Sequence, residues 1–366
     1  MVKKTPYERH SAMVRLVESR TVQRVTPPLL LPAGPYLDLA GEEFGRQLLL
    51  TTANNGIEYC LRPDFTLPIA KTYLDEGMQG VPGAYTYLGP IFRQENGFPV
   101  EYEQAGLELI GQPDASAALD QVLTFARWAL AIYDVTAPSV CLGGVGLFES
   151  FLAALGISPQ WQQRIRHRFG HPVAMQRLLD RLANPGPRIS GGVPDARETI
   201  VEIVTDNMMS AGLSLVGSRV PDEIAERYLE KQALDAVPIP PDRVQLLVDY
   251  LGVSDVAPRA LDRIREMTRK AGIDLDGPIA TVRTHAAAFS ALSPKAQVVF
   301  DASFSPRLDY YTGVVFEMTG EKGEVLASGG EYDRLLGRLG ATDHVPASGC
   351  ALWTDRLEQE AVAHDE

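Results

Sequence analysis

Cysteine is scarce in this chain: Cys60, Cys141 and Cys350 are the only three among 366 residues, and they stand far apart. No CxxC pair or Cys/His cluster accompanies them, so neither a structural zinc nor a disulfide framework is expected, and a reducing cytoplasm fits. Positive charge is also in deficit. Lys and Arg number 34 against 47 Asp and Glu, a formal net charge of -13. That balance argues against a broad nucleic-acid footprint, which needs clustered cations to displace counterions. No run reaches the ~18 apolar residues of a membrane span, so no membrane contact is expected. Met1-Val-Lys-Lys-Thr-Pro-Tyr-Glu lacks the apolar core of a signal peptide. Gly143-Gly-Val-Gly is glycine-rich, but its spacing matches neither a dinucleotide nor a P-loop fingerprint, and no cofactor is expected.

What is present is a core and a pattern. Hydrophobic residues make up 45% of the chain, enough for one large domain or two ordinary ones. The most informative stretch runs from Tyr87 to Gly111. It reads as two strands joined by the loop Asn96-Gly97-Phe98-Pro99. On the second strand, alternation places Tyr102, Gln104, Gly106 and Glu108 on one face and Ala105, Leu107 and Leu109 on the other. An amide and a carboxylate flanking a glycine leave space for a small ligand to lie against the sheet, with Arg93 contributed by the partner strand. The alternative is an edge hairpin with one solvated face.

Helical spacing covers residues 7–20, with Met13, Val14, Leu16 and Val17 as the stripe. Residues 21–34 contain prolines and read as extended, either an edge strand or a surface for a second subunit. A hairpin follows across Asn54-Asn-Gly56. Asp64 and Thr66 lie where a strand gives way to a helix over 67–74; they suit either helix capping or a ligand ammonium group. A helix over 115–133 precedes a short strand at Ser139 and a helix over 147–155. Residues 158–237 shift to short helical segments, 161–169, 173–182 and 221–234, with a loop over 184–194. His167 and His171 in this part read as surface residues. Helical patterns resume over 242–251, 257–271 and 277–292. Strands are expected at 297–304, over 307–317 and at 325–328. A tight turn at Gly329-Gly330 should lead into a helix, and a final strand after Pro346 into another. Strands dominate both ends and helices the middle, which points to an α+β fold with a helical insertion: core 1–157, insertion 158–237, core 238–366.

Five stretches in this order resemble the class II aminoacyl-tRNA synthetases, and among them the histidyl enzyme. They are Leu61-Arg-Pro-Asp-Phe-Thr66, Tyr87-Leu-Gly-Pro-Ile-Phe-Arg93 with Gln104-Ala-Gly-Leu-Glu108, Leu308-Asp-Tyr-Tyr-Thr-Gly-Val-Val-Phe-Glu317, Gly329-Gly-Glu-Tyr-Asp333, and Pro346-Ala-Ser-Gly with Asp355-Arg-Leu357. The resemblance implies an antiparallel sheet flanked by helices, dimeric through the segment near 27–36. It also implies a histidine-binding pocket. Asp64, in place of the family's usual Glu, would take the ammonium group with Thr66 and Gln104. Glu108 would read the imidazole, Tyr310, Tyr311 and Tyr332 would form the aromatic wall, and Arg93 would bind carboxylate or α-phosphate.

Departures from that pattern bear on function. The active enzymes carry Arg-Gly-Leu-Asp-Tyr-Tyr, whereas this chain has Pro306-Arg307-Leu308-Asp309-Tyr310-Tyr311. On a strand, the one-residue displacement of the guanidinium would reverse its face. Phe98-Pro99-Val100 stands near a second expected arginine, Glu331 replaces a third, and Trp353 replaces a glycine beside Arg356. Phosphoryl chemistry depends on cationic positioning. The anticodon-binding domain is not expected either. Such a set resembles the synthetase-like regulatory subunits of ATP phosphoribosyltransferase. That implies no catalytic residues and no metal, a catalytic subunit as hetero-oligomeric partner, a homodimer, and free histidine as the feedback ligand. Arg93 and Arg356 keep an amino-acid-activating enzyme open as the second reading.

Overall fold

The computed structural model describes residues 4–19, 22–39, 42–95, 97–183, 197–210, 221, 225, 228, 238–292, 297–306 and 310–363. The chain divides into two compact units: Met1–Ala154 with Phe169–His171 and Asp249–Glu366, and Leu155–Arg168 with Pro172–Val248.

The first unit is built on strands β1 (Gln23–Arg24), β2 (Leu30–Pro32), β3 (Leu50–Thr52), β4 (Glu58–Leu61), β5 (Gly83–Phe92), β6 (Glu101–Ile110), β7 (Ser139–Gly144), β8 (Ser254–Val256), β9 (Val298–Asp301), β10 (Val314–Thr319), β11 (Val325–Glu331) and β12 (Ala347–Trp353). Among the described residues, nine of them form one sheet in the order β1-β5-β6-β12-β11-β10-β7-β9-β8, and β2-β4-β3 form a second. Pairing in the large sheet is antiparallel except for β1 with β5 and β7 with β9. These are the class II features that the sequence predicts, with two parallel pairs added.

The hairpin at 87–110 is longer than expected, because β5 begins at Gly83. Its second strand is not an edge. β6 lies between β5 and β12, and Gln104 and Glu108 are each 1% exposed. The solvated-face alternative is therefore overturned: neighbours on both sides satisfy the backbone, and the polar side chains are enclosed. One face of the sheet carries the helix Ala115–Ile132, whose Val122 carbonyl meets Cys350 on β12. Asp114 caps that helix through the Ala117 amide at 3.0 Å. The other face receives the helix Thr66–Asp75, with Tyr73 edge-on to Tyr85 of β5.

Arg62 ties this second face together. It is 1% exposed, stacks 4.0 Å from the Phe65 ring, and donates to the carbonyls of Pro27 and Pro90. The extended segment at 21–34 is thereby joined to β5. Its β2 is an edge strand of the small sheet, and a short helix, Gly34–Leu39, follows.

Two expectations near the C-terminal half are corrected. Gly329 and Gly330 lie within β11 and make no tight turn. Close strand approach requires them: a Cβ at Gly329 would lie 2.3 Å from the Gly349 carbonyl, and one at Gly330 2.5 Å from that of Val314. The strand expected over 307–317 begins only at Val314, and 310–313 are not part of it. Residues 307–309, and with them the expected displacement of the Arg307 guanidinium, lie outside the described residues.

In the second unit, the helices Pro159–Arg166 and Pro172–Ala183 bury Trp161, Ile165, Met175, Leu178 and Leu179. A helix over Arg197–Ser210 was not expected from the sequence. The loop expected at 184–194 lies wholly outside the described residues, and the helix expected at 221–234 lies outside them except at 221, 225 and 228.

Candidate functional site

The site is centred on Glu108, two residues before the C-terminal end of β6. The register pairs it with Tyr85 on β5 and Gly349 on β12. Gly349 is what admits the carboxylate: a Cβ there would lie 1.8 Å from Oε2 of Glu108. Thr66 donates to Oε1 at 2.6 Å, and the Tyr87 hydroxyl lies 3.5 Å from the same oxygen. Tyr332, just beyond β11, donates to Oε2. Burial pushes the Glu108 carboxyl up to about 8, against the lowering effect of these hydroxyl donors.

The space expected above Gly106 is not open to a ligand. Tyr87 fills it: a Cβ on Gly106 would lie 2.2 Å from the Tyr87 hydroxyl. The ring stacks on Phe65 at 4.2 Å. Sequence reasoning missed Tyr87 as a donor to Glu108. The available signal was its alternation on β5, which sets it opposite Gly106.

Asp64 serves both readings of its position. Its Oδ1 accepts from the Leu67 amide at 3.2 Å, while Oδ2 is buried with no hydrogen-bond partner. Burial raises its carboxyl to about 6, opposed chiefly by the Arg93 guanidinium. Oε1 of Gln104 is likewise buried and unpartnered. A buried acceptor left unpaired costs about 1–3 kcal/mol, so these atoms favour a ligand that donates hydrogen bonds. Arg93 is held by the Pro63 carbonyl at 2.7 Å and lies 5.0 Å from the Phe44 ring. Tyr310, Tyr311 and Tyr332 form a cluster with centroids 5.2, 5.8 and 6.5 Å apart. Asp64 raises the pKa of Glu108 and Tyr310, and Arg93 lowers that of Tyr310, so acid, tyrosine and guanidinium lie within electrostatic reach. The arrangement provides acceptors, an aromatic wall and one cation, which suits a small amino acid.

The adjoining part of the site is filled by the chain itself. The Arg356 guanidinium lies 4.6 Å from the Phe98 ring, 5.0 Å from Trp353 and 5.6 Å from Tyr102. Its Nη2 lies 3.4 Å from Glu95, whose other oxygen is 3.7 Å from Arg93. Trp353 pairs with Gln104 and so shares its face. Glu331 does not belong here. It pairs with Ser348, which pairs with Leu109, so it occupies the opposite face from Glu108. Its replacement of an arginine therefore removes no cation from this pocket, contrary to the expectation. Among the described residues, no group of three or more His, Cys, Asp or Glu could hold a metal ion.

The family model for histidyl-tRNA synthetase matches residues 7–172 and 225–357. An ATP phosphoribosyltransferase regulatory subunit from Agrobacterium fabrum is 36% identical over 351 residues, covering 93% of each chain. One from Rhizobium rhizogenes is 36% identical over 359 residues, covering 94% of this chain and 95% of the relative. The crystal structure of an ATP phosphoribosyltransferase regulatory subunit/histidyl-tRNA synthetase from Bacillus halodurans superposes with a TM-score of 0.63 at 21% identity, over 99% of this chain and 82% of the other. A histidine–tRNA ligase subunit from Alicyclobacillus acidocaldarius gives 0.60 at 22% identity, over 100% and 97%. The two structures establish the fold, the two relatives the lineage: the chain belongs to the ATP phosphoribosyltransferase regulatory-subunit family, built on the histidyl-tRNA synthetase fold.

Proposed function

We propose that this chain is a non-catalytic regulatory subunit of ATP phosphoribosyltransferase, acting in the cytoplasm at the first step of histidine biosynthesis. It is required for the activity of a catalytic subunit, with which it forms a hetero-oligomer, and it conveys feedback inhibition by free histidine. The ligand's ammonium group meets Asp64, Thr66 and Gln104. Its imidazole meets Glu108 beside Tyr310, Tyr311 and Tyr332, and Arg93 faces its carboxylate. The unpartnered Asp64 Oδ2 and Gln104 Oε1 support the ammonium position.

The observation that carries the non-catalytic part is the enclosure of Arg356 by Phe98, Trp353 and Tyr102. An adenine stacking on this guanidinium would have to compete with the aromatic rings already packed around it. A homodimer is supported by exposed Leu29, Leu30, Leu37, Leu50 and Ile57 on and beside the small sheet. A coupling of about 1–3 kcal/mol between histidine and the assembly would suffice for feedback.

The decisive experiment co-purifies the chain with its catalytic partner and assays ATP phosphoribosyltransferase with and without histidine. Activity should require the chain, and Glu108→Gln should blunt inhibition while leaving activation. Histidine-dependent pyrophosphate–ATP exchange by the chain alone would overturn the non-catalytic reading.

A further inference from the structure

Tyr332 sits between two acids that point the other way. Glu331 lies on the helix-covered face of the sheet, while the hydroxyl of the next residue reaches Glu108 on the pocket face. Oε2 of Glu331 accepts from the Val314 amide at 2.7 Å. Only glycine at 313 permits this approach, because a Cβ there would lie 2.0 Å from that oxygen. The Thr312 amide donates to the Glu331 carbonyl at 2.8 Å, and the Asp333 amide donates to Thr312 Oγ1 at 3.1 Å. From the other side, the Val145 amide donates to the Gly313 carbonyl at 2.9 Å. Asp333 in turn accepts from the Ala347 amide at 2.9 Å, and the Tyr332 amide donates to the Ala347 carbonyl at 2.8 Å. Residues 312–314 follow directly on Tyr310 and Tyr311, so whatever fixes this segment fixes the end of the aromatic wall.

From this geometry we infer that Glu331 is a positioning residue for the pocket: by clasping the Val314 amide it holds 312–314, and with it Tyr310 and Tyr311, against Tyr332 and Glu108. An arginine, which the resemblance to the synthetases leads one to expect at this position, has no acceptor and cannot make this bond. The acid is thus a gain of a contact on the helix side, not a charge lost from the site. Burial raises its carboxyl above the usual glutamate range, with the Val314 amide opposing the shift. The carboxylate borders a small cavity of about 10 Å³ shared with Gln112, Asp333 and Ser348; an amide of the same length fills the volume the acid already occupies.

The inference rests on the histidine reading, and its test separates the two. Histidine is titrated calorimetrically into the full chain and into Glu331→Gln, Glu331→Ala and Gly313→Ala, with the melting temperature and near-ultraviolet tyrosine dichroism of each. Glutamine keeps an acceptor for Val314, so its affinity should stay within about twofold of wild type. Alanine at 331 leaves a buried amide unpaired, and alanine at 313 displaces the carboxylate; each should weaken histidine about tenfold and alter the tyrosine signal. Equal affinity in Glu331→Gln and Glu331→Ala, or a lowered melting temperature with unchanged affinity, would overturn the role. Should Glu331→Ala not fold, Gly313→Ala decides. Should wild type not bind histidine, the histidine reading falls, and the clasp stands or falls on the tyrosine signal alone.

Discussion

Tyr332 donates its phenolic hydrogen to Glu108 although 224 positions separate them in the chain. The bond closes a buried carboxyl against the aromatic wall, and it explains why protonation of this one acid should be visible in stability. The folded state holds the Glu108 proton up to about 8, whereas the ordinary value is 4.5. Between those values the folded chain binds more protons than the unfolded one, so this contribution is full below the lower value and is lost as pH rises to the upper. Asp64 acts with the same sign, but only up to about 6. Asp64 is common to both proteins, so the stability of wild type relative to Glu108→Gln should fall as pH rises from 4.5 to about 8. Denaturant titrations across that range check it; a difference that rises with pH would contradict the buried acid.

Histidine affinity should depend on pH through a shared proton. The free imidazole titrates near about 6.5, and Glu108 in the empty pocket near about 8. Between these values one proton lies in the pair, whichever atom holds it. Above the window a proton must be taken up, and below it one must be released. Calorimetry in buffers of different ionisation enthalpy should show an affinity maximum inside the window, and a flat profile would mean that Glu108 does not touch the ring.

Gly349→Ala should damage both fold and pocket. The new methyl would lie 1.8 Å from Glu108 Oε2 and 2.7 Å from the Leu107 carbonyl, so rotating the acid alone gives no relief. A destabilisation of about 1–3 kcal/mol is expected, typical of overpacking. Urea unfolding measures it, with loss of histidine binding as the accompanying change; an unchanged midpoint would show that β12 can move away.

Trp353→Ala should uncover one side of Arg356. Removing a buried ring of this size costs about 3–5 kcal/mol, and equilibrium dialysis should then detect ATP where wild type retains none. Pyrophosphate exchange should stay absent in both. Equal ATP retention by wild type would show that the indole is no barrier.

Much of the fold was legible beforehand because its signals are local. Asn54-Asn-Gly56 marked a hairpin, and the helical stripe at Leu119, Val122, Leu123 and Ala126 marked the helix Ala115–Ile132. The turn predicted at Gly329-Gly330 failed for the opposite reason. Glycine serves a turn or a close strand approach equally well, and the choice was made by the Gly349 carbonyl of a neighbouring strand.

By itself, the sequence determined which side chains this protein could bring to a small ligand. Alternation and short motifs are written along the chain, and lineage follows from them. Only the tertiary structure decided which face each side chain takes and what already occupies it. Tyr87 fills the gap over Gly106, three rings cover Arg356, and Glu331 turns away from the site. Register between strands distant in sequence sets those outcomes, because a ladder places opposite residues on a common face.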